Sequence, residues 1–156
     1  MRLSKIIMAC AASILSVSAF AADVTGVWQT EQYKGITGGG GKGKYDQVRI
    51  HACEDNPENI CGTIVKSFLN DGSENTEDSF VGAPMLKDLK PKMVKDKKTK
   101  EKMVKENAFS KGEIWHPHMD KYFKSSIELD EQDPNILHLN GCIAFFCMGQ
   151  DWTRVE

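Results

Sequence analysis

Five cysteines occur, and four of them, Cys53, Cys61, Cys142 and Cys147, lie beyond the N-terminal segment. Four thiols allow three pairings. The local one, Cys53–Cys61 with Cys142–Cys147, is the simplest, because each pair brackets a short segment. Zinc is the competing chemistry, since thiolates are its usual structural ligands. Spacings of eight and five, with no Cys-x-x-Cys, speak against it. The other metal-like cluster is His116-Pro117-His118-Met119-Asp120. On a regular strand alternate side chains share a face, so His116, His118 and Asp120 would converge. Pro117 opposes that geometry, because proline removes a ladder donor and favours an edge or a turn. His116 and His118 are therefore kept only as secondary metal candidates, and no cofactor is expected.

Gly38-Gly39-Gly40-Gly41-Lys42-Gly43-Lys44 satisfies a G-x-G-x-x-G pattern and most of a P-loop. Either motif needs a following helix whose N-terminal amides meet the phosphate. The next segment here reads as a strand, and Tyr45 stands where a P-loop places Ser or Thr. A flexible loop is the better reading. No Gly-x-Ser-x-Gly elbow is present, and bridged cysteines leave no free thiol as a nucleophile. No catalytic constellation emerges, and the expectation is a protein that is not an enzyme.

The compartment is read from the N-terminus. Arg2 and Lys5 precede an apolar stretch from Ile6 to Val17, and Ala19-Phe20-Ala21 closes it. That is the pattern of a signal peptide over residues 1–21, with a mature chain from Ala22 or Asp23. The stretch is too short for a stable span, which takes about 20 residues. Removal of two positive charges leaves a mature chain of 18 Lys+Arg and 22 Asp+Glu, about −4. Residues 22–156 have the length of one domain with one core. Export to the periplasm or beyond also suits the cysteine bridges. An acidic chain whose basic run lacks interleaved aromatics excludes nucleic acid, and no segment after the signal would span a membrane as a helix.

Strand patterns must position these groups. Gly26–Tyr33, Gln47–Ala52, Ile60–Phe68, Glu113–His116, Tyr122–Leu129, Ile136–Asn140 and Phe145–Val155 read as strands joined by turns. Glu54–Asn59 reads as the turn of a hairpin closed by Cys53 and Cys61. Asp130–Asn135 reads as a second tight turn. Lys87–Glu106 breaks the pattern, with nine Lys, four acids and a net charge of +5. Helix formers from Lys92 to Asn107, after Pro91, predict a short helical insertion there. It is read as a solvated excursion, with a lid or a basic contact surface as the sharper alternative.

The ordered series of motifs is more specific than any one piece. It runs Gly26-Val27-Trp28, Val48-Arg49-Ile50 with Cys53, Ile60-Cys61-Gly62-Thr63-Ile64-Val65 and Gly82-Ala83-Pro84-Met85-Leu86. Gly112-Glu113-Ile114-Trp115-His116-Pro117, Leu137-x-Leu139-x-Gly141-Cys142 and Gln150-Asp151-Trp152-Thr153-Arg154-Val155 complete it. This resembles the exported bacterial domain-of-unknown-function family 2147. The resemblance implies a lipocalin-like barrel with no common activity. The glycine loop, the lysine-rich segment and His116, where the family has an acidic residue, depart from its pattern. The Gly-x-Trp start is also similar to the lipocalin signature. That likeness implies that Trp28 packs across the closed end of a barrel beneath Arg154, a cation–π arrangement.

The fold expected is all-β: an antiparallel lipocalin-like (calycin-type) barrel of about eight strands with one short helical insertion. A barrel of that size holds one small ligand or fills its interior with side chains. The functional expectation is an exported carrier of a small apolar or amphipathic ligand. Phe123, Ile127, Leu129, Phe145 and Phe146 are the candidates for lining. The alternative is a periplasmic protein–protein interaction module with a filled barrel.

Overall fold

The computed structural model describes residues 24–32, 44–116 and 119–156. The expected signal segment, most of the glycine loop, Pro117 and His118 lie outside the described residues. Eight strands form: β1 (Gly26–Gln29), β2 (Tyr45–Ala52), β3 (Ile60–Phe68), β4 (Pro84–Lys95), β5 (Lys102–His116), β6 (Lys121–Leu129), β7 (Ile136–Ile143) and β8 (Phe146–Arg154). Each pairs antiparallel with its sequence neighbour, and β1 pairs with β8, so the sheet closes into a barrel. Trp28 faces Arg154 in that closing register.

Side-chain alternation explains which way each strand faces. On β7, Leu137 and Leu139 are buried, while His138 between them and Asn140 after them are less so. On β2, Val48 and Ile50 are buried and Arg49 is exposed. The core gathers Trp28, Val48, Ile50, Ile60, Ile64, Leu86, Leu89, Phe109, Ile127, Leu129, Leu137 and Trp152. These residues lie toward one end, where β1 starts and β8 finishes.

Consecutive antiparallel strands divide the connections between two ends. The β2–β3 turn, the β4–β5 turn, the β6–β7 turn and both described chain ends lie at the closed end. The β1–β2, β3–β4, β5–β6 and β7–β8 connections lie at the opposite mouth. A disulfide staples a hairpin at each end: Cys53–Cys61 at the closed end and Cys142–Cys147 at the mouth.

The helix expected over Lys92–Asn107 does not form. β4 and β5 continue as a two-stranded ribbon, with Met93 opposite Val104 and Val94 opposite Met103. The two arms carry the same tetrapeptide, Lys92-Met93-Val94-Lys95 and Lys102-Met103-Val104-Lys105. Between them Asp96 Oδ1 accepts from the amides of Lys98 and Thr99 at 2.8 and 2.7 Å, and Asp96 N–H donates to Glu101 O. An aspartate-led turn between two identical arms outweighs helix propensity, which is a weak preference that pairing overrides. The last β3–β4 partners are Ile60 and Leu89, and β6 begins to pair with β5 at Ala108. The ribbon therefore runs past both neighbouring strands. Lys92 and Lys105 both bind Glu128 at its base. Because it leaves from the closed end, it does not cover the mouth, and the lid reading is set aside.

Deleting Met93–Val104 and joining the arms with a short Asn-Gly turn should leave the barrel folded. The arms beyond residue 90 bury little, with Met93 and Met103 each about half exposed. The expected drop in thermal midpoint is below about 5 °C, read by circular dichroism. A larger fall would show that the ribbon covers core surface.

Candidate functional site

The closed end is sealed by hydrogen bonds and one stacked pair. Trp28 is fully buried, and its indole N–H donates to Val24 O at 2.9 Å. The Arg154 guanidinium lies 4.2 Å from the Trp28 ring centroid. It also donates to Thr25 O and Pro134 O, each at 3.1 Å. The guanidinium thus ties the start of β1 to the β6–β7 turn while stacking on the indole.

The same turn is held from outside by His138, whose ring nitrogens lie 2.7 Å from Asp151 and 2.9 Å from Asp130. Its bonds to Asp151 and Asp130 raise the His138 pKa. The bond from His138 and the amides of Asp133 and Gln132 lower Asp130 to about 2. The histidine contribution is complete below its unfolded pKa, about 6.5, and fades as pH rises through the raised folded value. The aspartate contribution is complete above about 3.9 and fades as pH falls toward 2. The advantage of the wild type over His138→Ala in thermal midpoint should therefore be greatest between about pH 4 and 6.5. A difference that does not vary with pH would mean that the histidine contributes only packing.

The mouth opens into a cavity of about 360 Å³. Its inner wall is Met85, Ile114, Trp115, Phe123, Leu139 and Gly141. Ile143, Phe146 and Met148 stand toward its rim. Phe146, Met148, Gln150, Trp152 and Arg154 alternate along β8, so one face of that strand runs from the mouth to the closed end. Trp115 is fixed from two sides. Its indole N–H donates to Asp120 Oδ1 at 3.2 Å, and the Phe80 ring meets it edge-on at 5.0 Å. Phe80 is brought there by the β3–β4 connection. Asp78 Oδ2 accepts from Ser67 Oγ at 2.6 Å, and Asp78 Oδ1 accepts from the Phe80 amide at 2.8 Å. Polar groups of Thr30, Glu31, Lys44, Asp46, His116 and Gln150 are also among the lining.

A family model described as "Uncharacterized protein conserved in bacteria (DUF2147)" matches residues 26–154. The chain belongs to this family. No curated protein matches the DUF2147 chain. Among solved structures, one is described as "Protein HP1028 from the human pathogen Helicobacter pylori belongs to the lipocalin family". It superposes with a TM-score of 0.54 at 12% identity, covering 85% of this chain and 82% of its own. At that identity the likeness concerns the fold, and it is the lipocalin-like barrel.

Of the five lining candidates, Phe123 and Phe146 border the cavity of this DUF2147 barrel. Ile127 and Leu129 point inward on the same face of β6 but belong to the packed core nearer the closed end. Phe145 does not line the cavity. It sits in the two-residue turn between β7 and β8 and is 97% exposed. The turn breaks the alternation, so only Phe146 resumes the inward face. Trp115, Met85, Leu139, Ile143 and Met148 escaped the sequence reading as lining residues. The alternations Leu137-x-Leu139-x-Gly141-x-Ile143 and Phe146-x-Met148-x-Gln150-x-Trp152 carry that signal. Of the two metal candidates, His116 alone falls within the described residues, and it borders the cavity. His116 meets the Phe123 ring edge-on at 6.1 Å, Asp120 holds the Trp115 indole, and His118 lies outside the described residues. Among the described residues no three His, Cys, Asp or Glu side chains are grouped to hold a metal.

Proposed function

We propose that this protein is an exported binding protein, not an enzyme, that carries a small apolar or amphipathic molecule in the mouth end of its barrel. The observation that carries the reading is the cavity of about 360 Å³. Ligand sites range over about 300–1,000 Å³ and combine apolar walls with a few placed polar groups. Met85, Ile114, Trp115, Phe123 and Leu139 supply the walls here. Glu31, Lys44, Asp46 and Gln150 offer polar contacts to a ligand head. Export is supported by the signal pattern of residues 1–21 and by two disulfides, which persist in oxidising compartments. Lipocalin folds hold a single ligand in barrels of this size.

Native mass spectrometry of freshly purified protein tests both parts. The expected spectrum shows a chain beginning at Ala22 or Asp23 with a small-molecule mass that disappears under denaturing conditions. A chain retaining residues 1–21 would defeat export. Protein that carries nothing and takes up no apolar probe would defeat the carrier reading. The second reading is a protein–protein interaction module, and the observation favouring it is the ribbon, where Met93, Met103 and Val104 are exposed among lysines. Loss of a cross-linked periplasmic partner on deleting Met93–Val104 would support it.

A further inference from the structure

The β7–β8 connection is the most exposed apolar element among the described residues. Phe145 is 97% exposed, Phe146 81%, Met148 62% and Ile143 46%. A two-residue turn, Ala144-Phe145, joins the strands, and Cys142–Cys147 bridges them just below it. Ala144 takes a positive φ of 51° there, a conformation that L residues seldom adopt. Two aromatic rings are thus carried on a short, covalently stapled, convex tip. Phe146 and Met148 at its base also border the cavity. Whatever covers the tip therefore also covers the cavity entrance.

The flank of the tip on the β5–β6 side carries a basic bias, whereas the β1–β2 flank, with Glu31, Lys44 and Asp46, does not. On the outer surface beside it, Lys124 lies opposite Cys142, and Lys121 and Tyr122 begin β6. Lys87 Nζ sits 3.8 Å over the Tyr122 ring. On this side Lys87, Lys121 and Lys124 outnumber Glu113 and Asp120. The acidic part of the mouth, with Asp71, Glu74 and Glu77, lies on the β3–β4 connection. In a closed ring of eight strands that connection is diametrically across from the tip.

We propose that the tip side of the mouth docks on an anionic lipid bilayer, from which the cavity draws its ligand. The second half of this statement rests on the carrier reading above. A convex apolar tip needs a concave partner on a protein, whereas a fluid interface deforms around it. Phenylalanines enter the headgroup and acyl boundary while neighbouring lysines meet anionic phosphates. Two copies meeting through this side would oppose convex tip to convex tip and lysine to lysine. An apolar ligand is also concentrated in a lipid phase, not in water. Docking would tilt the barrel, with the acidic β3–β4 side held away from the surface.

Co-sedimentation of the full mature chain with sucrose-loaded vesicles tests this. Vesicles of phosphatidylcholine alone are compared with vesicles containing about a third phosphatidylglycerol. The wild type should bind the anionic vesicles and bind phosphatidylcholine more weakly. Phe145→Ser, which touches no cavity wall, should lower binding about tenfold or more. It should leave uptake of a soluble apolar probe unchanged. Lys121→Glu with Lys124→Glu should remove the preference for anionic lipid. Wild type that ignores both vesicles, or Phe145→Ser that binds like wild type, would overturn the proposal. A concentration-dependent dimer abolished by Phe145→Ser, without vesicle binding, would also overturn it and make the tip a protein contact. If probe uptake survives while vesicle binding is absent, the docking fails and the carrier reading stands. If the wild type takes up no probe, the carrier reading fails on its own.

Discussion

Trp28→Ala is expected to lose about 3–5 kcal/mol of unfolding free energy, the range for truncating a fully buried aromatic. Trp28 has no exposed surface, and its indole spans the gap between β1 and the Arg154 guanidinium. Truncation removes the packing, the bond to Val24 O and the surface on which the guanidinium lies. Arg154→Ala should cost less, about 1–2 kcal/mol, because its stacking and two carbonyl bonds sit at a partly solvated edge. The double variant should fall short of the sum by about 0.5–2 kcal/mol, since the two residues share one interaction. Urea unfolding of the four proteins measures the cycle. Strict additivity would show that the stacked pair contributes no coupling.

Gly112→Ala is expected to be nearly as damaging, for a backbone reason. A Cβ at Gly112 would lie 2.5 Å from Lys87 O, 2.6 Å from Leu89 N and 2.7 Å from Leu89 Cα. These are main-chain atoms, which cannot swing aside. The crowding arises where the β4–β5 pairing is interrupted between Lys87–Glu113 and Lys90–Ser110, with the register kept across the gap. Asp88 and Lys111 take positive φ of 53° and 59° there, bending β4 onto β5. The cost should be about 2–4 kcal/mol, from strain and displaced strands. Gly141→Ala is the matched control. Its Cβ would rest 3.4 Å from Ile114 Cγ2, an ordinary contact, so its unfolding midpoint should stay near that of wild type. Equal effects at the two positions would contradict the close approach of β4 to Gly112.

Most of the barrel was legible because strands with one wet face alternate, and these do. β2, β3, β6, β7 and β8 each announce an inward face. The closing contact was legible through the Gly-x-Trp start and Arg154, read by resemblance rather than from periodicity. β4 was not legible, because the residues of its continuation predict a helix. Lysine and glutamate favour helix locally, whereas the pairing of Met93 with Val104 is a property of two segments together. The repeated Lys-Met-Val-Lys tetrapeptide around Asp96 was the available clue. The cavity was legible only as a face. Alternation states that Phe123, Ile127 and Leu129 point the same way, but it says nothing of depth. Strand stagger sets depth, and it leaves Phe123 at the cavity while Ile127 and Leu129 become core. Phe145 shows the opposite failure, because a two-residue turn resets the alternation next to it.

The cavity can be blocked without touching the rest of the barrel. Gly141 lines it, and a side chain there starts in open space apart from Ile114 Cγ2. Titration with a neutral fluorescent probe such as N-phenyl-1-naphthylamine, on wild type and Gly141→Phe, reads the consequence. Wild type should show saturable, stoichiometric binding with energy transfer from Trp115, which stands in the wall. Gly141→Phe should lose most of that binding while keeping its unfolding midpoint. Equal binding by the two proteins, or none by the wild type, would contradict a ligand-carrying barrel.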